Sequence, residues 1–144
     1  MITVQRATKP TDVNLADINN LLPQLLRNPG NLAAAQKELD AITQDPHAVF
    51  IIAKDGEKTV GMGIAYLIQK FGGKTGFVES VVVLDSYRGQ GLGKQVMGML
   101  ITESKKAGAK GLDLTSHPDR VVANALYQKL GFEKRETNVY RLKL

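Results

Sequence analysis

Phe77 to Val96, reading FVESVVVLDSYRGQGLGKQV, is the stretch on which the fold assignment turns. It begins as an apolar, strand-like run from Phe77 to Leu84. Asp85, Ser86 and Tyr87 make a polar turn, and Arg88-Gly89-Gln90-Gly91-Leu92-Gly93-Lys94 then opens a helix. The first N–H groups of a helix have no internal partner, and its dipole places partial positive charge there. Glycines let an anion approach that backbone without a Cβ in the way. A strand feeding a glycine-rich turn at a helix start therefore predicts a phosphate-binding loop.

Two templates for such a loop fail. A Walker A loop needs Gly, four residues, then Gly-Lys-Ser/Thr. Arg88 stands where the first Gly belongs and Gln95 where Ser or Thr belongs. A dinucleotide fingerprint, Gly-x-Gly-x-x-Gly, meets Lys94 or Val96 at its third glycine, although Asp113 lies at a suitable distance for a ribose contact. Arg88-x-x-Gly91-x-Gly93 does fit a pattern. It resembles the pyrophosphate loop of the GNAT superfamily, the acyl-CoA-dependent N-acyltransferases. The later ALYQKLGF, Ala125 to Phe132, stands at a family-like separation. The resemblance covers Phe77 to Phe132 closely and the remainder in layout.

Composition agrees with one soluble domain over residues 1–144, long enough for a single core. No apolar run approaches the roughly 20 residues that span a bilayer, and Met1 to Arg6 lacks a signal-peptide layout. There is no Cys, which excludes disulfides and a Cys nucleophile and is compatible with a cytoplasmic location. The net charge of +5 suits either plain solubility or an acidic ligand such as a polyphosphate. Nucleic-acid binding has little support, because no basic run is longer than the two residues of Lys105-Lys106 and aromatics are few.

Along the chain, Ile2 to Ala7 alternates as a strand, and Pro10-Thr11-Asp12 ends it and offers a helix cap. Val13 to Arg27 has helical spacing, with Pro23 set to kink or split it. Asn28-Pro29-Gly30 is a break, and Asn31 is expected to cap a second helix, Leu32 to Thr43. Ala48 to Ala53 and Thr59 to Ile68 read as a hairpin around Asp55-Gly56, with Gly61 and Gly63 marking a bulge or close packing. Phe71 to Gly76 reads as a flexible connection. Gly91 to Ala107 is a helix that buries Leu92, Val96, Met99 and Leu100. Leu112 and Leu114 mark a strand. Pro118 suits the first turn of a last helix striped by Val122, Leu126 and Leu130. Phe132 to Arg135 and Asn138 to Leu142 are expected to close the sheet. The order β-α-α-β-β-β-α-β-α-β-β matches the GNAT layout, an α/β (α+β) fold with a mixed, mostly antiparallel central sheet flanked by helices.

The resemblance implies a site. The amides of Gly89, Gln90, Gly91, Leu92, Gly93 and Lys94 would bind the CoA pyrophosphate, with Arg88 adding charge. Val81, Val82 and Val83 are a buried run by their pattern; in the family this strand splays and its main chain pairs with the pantetheine arm. Tyr127 would be core packing by spacing alone, but it holds the position of the family's general acid. Glu79 is costly in an apolar strand unless solvated or paired, and in resembling members a Glu here lies near the acceptor amine. Asp113 is a weaker candidate for the base. Asn124 is expected to touch the cofactor arm. Many members carry an Asn seven residues before the Tyr, where this chain has Arg120. His117 reads as a loop residue, and two His make no metal site. The acceptor site is expected from the first two helices and the Phe71 to Gly76 loop.

The implied activity is acetyl transfer from acetyl-CoA to a primary amine of a small molecule or peptide, by direct attack in a ternary complex and without a metal. The resemblance leaves room for a homodimer. Two other readings are a non-catalytic acyl-CoA-binding or regulatory domain and a nucleotide-binding protein of another class. The presence of both Glu79 and Tyr127 favours the enzyme.

Overall fold

The alternating residues of β1 (Ile2–Arg6) half-bury every second side chain, and the strand pairs antiparallel with β2 (Ala48–Asp55) at the sheet edge. The structure, a computed structural model, describes residues 1–25, 30 and 32–144. In β2 the run Ala48 to Ala53 is buried throughout, which requires helices against both faces of the sheet. Asp55 leads into a tight turn at Gly56-Glu57, and β3 (Lys58–Lys70) returns antiparallel, longer than its apolar core suggests. Then β4 (Gly73–Val83) pairs antiparallel with β3, and β5 (Ala109–Asp113) pairs parallel with β4. The sheet order is β1-β2-β3-β4-β5, a mixed and mostly antiparallel sheet. Among the described residues four helices flank it: α1 (Leu15–Leu25), α2 (Gln36–Gln44), α3 (Leu92–Lys106) and α4 (Val121–Lys129).

Several expectations change in detail. Pro10 to Asp12 forms a short 3-10 turn, and Asp12 accepts the amides of Thr8 and Lys9 instead of capping a helix. The cap of α1 is Asn14, whose Oδ1 accepts the Ala16 amide at 2.9 Å. Pro23 lies in the last described turn of α1 and does not split it. The expected end of that helix at Leu26-Arg27, the break at Asn28-Pro29 and the Asn31 cap lie outside the described residues. Residues 32–35 are not helical. Asn19 exchanges hydrogen bonds with the Ala34 main chain, and the Glu38 carboxylate accepts the Ala35 amide, so α2 starts at Gln36. The connection between β3 and β4 is a two-residue turn at Phe71-Gly72, and Gly73 to Gly76 belong to β4. In α3 it is Met97, not Met99, that is fully buried beside Leu92, Val96 and Leu100. Pro118 precedes α4 in a separate turn, and Val122 is exposed.

The largest difference lies past α4. The two closing strands expected at Phe132–Arg135 and Asn138–Leu142 do not form, and residues 132–144 hold no helix or strand. A strand exists through its ladder partner, and no described residue ladders with this segment. Among the described residues no helix is long and apolar enough to cross a membrane.

Candidate active site

The site begins with a misfit between β3 and β4. Met62 pairs with Val82, and Ile64 with Glu79, so Ser80 and Val81 together oppose Gly63. This is a β-bulge, with one strand carrying an extra residue. Ser80 takes φ 58, the left-handed region that non-glycine residues seldom occupy. Gly63 makes the packing feasible. A Cβ there would stand 2.8 Å from Leu100 Cδ1 and 3.0 Å from Val96 Cγ1 of α3. Beside the bulge, β4 leaves β5: their last pair is Phe77 with Asp113, and β4 continues to Val83. The main chain of Val81, Val82 and Val83 therefore runs along an edge that β5 does not cover.

That edge leads into the glycine-rich loop. Leu84 donates its amide to the Val60 carbonyl at 2.9 Å, and Asp85 to Tyr87 forms a 3-10 turn. Gly91 caps α3 with φ 79, and Gly89 has φ 78. Apart from the chain neighbours, no atom of the described residues lies within 4 Å of where a Cβ would stand at either position. Backbone conformation and open space together suit a diphosphate approaching the amides from Gly89 to Lys94. Arg88 is more constrained than a free phosphate ligand. Its Nη1 lies 2.6 Å from Asp85 Oδ1, and its Nε donates to the Val83 carbonyl at 3.2 Å.

Tyr127 in α4 is 8% exposed and packs edge-on against Phe132, with ring centroids 6.1 Å apart. Burial pushes its phenol above the ordinary range, and Arg120 pulls it part of the way back. The hydroxyl is thus held in its protonated form, as a proton donor must be. Leu126 comes within 3.6 Å of the Cβ position of Gly93, so α4 sits against the start of α3. Tyr127 and Asn124 line one groove with Phe77 and Leu114. Asn124 donates to the His117 carbonyl at 2.9 Å, which ties down the turn before α4. Arg120 is exposed at the cap of α4.

Glu79 does not line that groove. It is exposed and shares the register of Ile64, on the face turned away from α3. Tyr66, two residues on from Ile64, is half-buried; burial raises its phenol, and Glu79 and Asp45 add to the effect. Asp113 pairs with Arg135 at 3.7 Å. The Phe71-Gly72 turn lies at the far end of β4 from the loop, roughly 30 Å away at the usual strand rise. Its carbonyl at Gly72 accepts from Lys110 Nζ.

Sequence reasoning missed the braces of the loop. The Tyr87 hydroxyl donates to Asp55 Oδ2 at 2.8 Å, joining the turn to the β2–β3 hairpin. Gln24 of α1 accepts the Asp85 amide at 2.7 Å. An aromatic beside a phosphate loop was a usable signal for Tyr87; Gln24 lies 61 residues from its partner and carried none. Tyr66 could have been found from strand alternation with Ile64.

The sequence profile of the acetyltransferase (GNAT) family matches residues 15–132. The chain is 33% identical over 126 residues to a probable glucosamine 6-phosphate N-acetyltransferase 2 from Oryza sativa subsp. japonica, covering 80% of this chain and 73% of the relative. It is 31% identical over 98 residues to the uncharacterized N-acetyltransferase YobR of Bacillus subtilis (strain 168), covering 68% of this chain but only 38% of the length of YobR. Among solved structures, a Trypanosoma brucei acetyltransferase superposes with a TM-score of 0.78 at 28% identity, covering all of both chains. The aminoglycoside N-acetyltransferase AAC(6')-Iy, solved in complex with CoA, superposes with a TM-score of 0.81 at 23% identity, covering 99% of this chain and 95% of the other.

Proposed function

This chain belongs to the acetyltransferase (GNAT) family, and on that premise we propose that it transfers an acetyl group from acetyl-CoA to a primary amine by direct attack in a ternary complex. The observation that carries the reading is the continuity of β4. Its uncovered edge, from the bulge to Val83, runs straight into the glycine-capped start of α3. One ligand with an extended arm and a diphosphate fits both.

Acetyl-CoA supplies the acyl carbon and a thiolate leaving group. The amides from Gly89 to Lys94 hold the diphosphate, and Arg88, fixed by Asp85, shapes the loop that presents them. Main-chain groups of Val81 to Val83 align the arm and place an N–H against the charge that develops on the acyl oxygen. Glu79 takes a proton from the attacking amine, directly or through water. As the new C–N bond forms and the C–S bond breaks, Tyr127 donates its hydroxyl proton to the departing sulfur. The gap between β4 and β5 lets one thioester meet Tyr127 from the groove and Glu79 from the other side.

The acceptor is an amine of a small molecule or peptide, and the cytoplasm is the expected compartment. Glucosamine 6-phosphate heads the test panel because a relative's name carries it. The test is thiol release from acetyl-CoA with a panel of amines, run beside CoA and ATP in a thermal-shift assay. Stabilisation by CoA and amine-dependent thiol release are expected. Stabilisation without release on any amine would favour the acyl-CoA-binding reading. Stabilisation by ATP alone would defeat both.

A further inference from the structure

The two-residue turn between β3 and β4 is firmly held and carries a side chain that the fold does not use. Lys70 pairs with Gly73 across it, and Gly72 and Gly73, with φ 89 and 142, take up the backbone bend. Phe71 therefore has no conformational task there. Its ring is fully exposed, and Ile68, three residues before it, is half-exposed. The turn stands at the end of β4 opposite the glycine loop, and the proposed acetyl transfer uses neither side chain.

Cations surround this tip. Lys70 precedes Phe71, Lys74 follows it, and Lys110 of β5 donates to the Gly72 carbonyl at 3.0 Å. Lys74 Nζ donates to the Ala107 carbonyl at 3.1 Å, which brings the end of α3, with Lys105 and Lys106, to the same corner. Of the acidic groups toward this end, Glu103 is engaged by Arg6 and Lys106. Asp45 accepts the His47 amide, and its charge acts on Tyr66, on the face turned away from α3. The tip thus presents a projecting apolar ring inside a collar of lysines.

The make-up of the collar selects among anionic partners. Lysine is a hydrated point charge and is depleted in protein interfaces, where arginine is enriched. Arg6, at this end of the sheet, is turned inward onto Glu103 and the Ala48 carbonyl. Single-stranded nucleic acid is gripped along a groove with several stacking aromatics, whereas here one ring projects alone. A fluid anionic surface needs neither a fork of donors nor a groove. It needs diffuse positive charge and an apolar side chain that can enter the acyl boundary.

We propose that the β3–β4 turn is a peripheral contact for an anionic lipid surface, with Phe71 entering below the headgroups and Lys70, Lys74, Lys105, Lys106 and Lys110 lying against them. Such a contact rests on the surface and requires no spanning helix. Each lysine near an anionic surface strengthens binding roughly fivefold, so the association is reversible and sensitive to salt. It is independent of the proposed chemistry and stands or falls on lipid binding.

Flotation of the intact protein with lipid vesicles tests this. Vesicles of two parts phosphatidylcholine to one part phosphatidylglycerol should carry it at low salt. Pure phosphatidylcholine should not, nor should the anionic vesicles at about 1 M salt, where charge is screened within about 3 Å. Phe71→Ser should weaken binding roughly tenfold or more. Lys70→Gln together with Lys105→Gln should weaken it roughly twentyfold or more. Melting midpoints should not change, because all three side chains are exposed. The chain has no tryptophan, so Phe71→Trp gives an isolated fluorescent reporter. Its emission should shift to the blue with the anionic vesicles and be quenched by lipids brominated in their acyl chains. Duplex DNA and polyglutamate, run in parallel, should produce no such shift. Absence of flotation, equal binding to neutral vesicles, a Phe71→Ser variant that binds as well as the parent, or a blue shift with DNA or polyglutamate alone overturns the proposal.

Discussion

The loop before α3 and the segment after α4 differ sharply in how they are held. At the loop, three points of the turn are tied to distant elements and Arg88 is tied locally. Tyr87 binds Asp55, the Asp85 amide binds Gln24, Leu84 binds Val60, and Arg88 folds back on Asp85 and Val83. Among the described residues the segment after Phe132 has the single ion pair of Arg135 with Asp113, and both side chains are half or more exposed. One region is braced in place, and the other keeps its apolar side chains uncommitted. Preorganised contacts cost little at the moment of binding, whereas uncommitted ones must be ordered then.

Substitutions can break or sharpen this contrast. The largest effect is expected at Tyr127. Tyr127→Phe should lower kcat by roughly a hundredfold or more while CoA affinity, read by calorimetry, stays within about twofold. Because burial raises the phenol, it keeps its proton up to and beyond the ordinary tyrosine pKa of about 10. Turnover in the wild type should then show no loss from Tyr127 ionisation below that pH, and a pH profile of kcat checks it. A fall in activity near neutral pH on the alkaline side that disappears in Tyr127→Phe would contradict this.

Next comes Gly63→Val. Its Cβ would press on Leu100, Val96 and Val81, so about 1–3 kcal/mol of stability should be lost, visible as a lower melting midpoint. Weaker CoA binding should accompany it, since the bulge that frees the β4 edge would shift. Tyr87→Phe removes one brace without changing shape. It should raise the CoA dissociation constant by roughly three- to tenfold and leave the fold intact, as a binding titration and a melt would report. The smallest effect belongs to the loose end: Arg135→Ala should cost less than about 1 kcal/mol, because the pair is exposed and screened by solvent. Equal effects of Tyr87→Phe and Arg135→Ala on CoA binding would dissolve the contrast.

The same contrast separates what was legible in the sequence from what was not. The Asp55-Gly56 hairpin, the apolar β2 and the glycine-capped α3 are encoded by neighbours in the chain, and they could be read directly. A splay of the central strand and a bulge or close packing at Gly61 and Gly63 were also expected, the first through the resemblance and the second from the poor fit of glycine in strands. The start of α2 did not, because Asn19 decides it from another helix. The α1 cap moved to Asn14 because the Thr8 and Lys9 amides had already engaged Asp12. Val122 fits a helical stripe but faces outward, since a stripe says which residues share a face and not whether anything covers it. The closing strands failed for a related reason: alternation in residues 138–144 describes a strand's faces and cannot supply its partner. In the candidate site, Gly91 stood out by its motif, and Val81 to Val83 and Tyr127 were singled out through the resemblance alone, whereas Gln24 acts across the fold and left no trace.

The bulge at Ser80 has one more effect. It advances β4 by one step against β3, so Glu79 and Val82, three positions apart, end on the same side of the sheet. Plain alternation would put them on opposite sides. Removing Ser80, or inserting one residue beside it, would turn the entire end of the strand over and bring the wrong set of side chains to the helix α3. This strand should therefore accept many changes of residue type but almost none of length, and homologues that keep the reaction should keep its spacing to the glycine loop even where they share few of its residues.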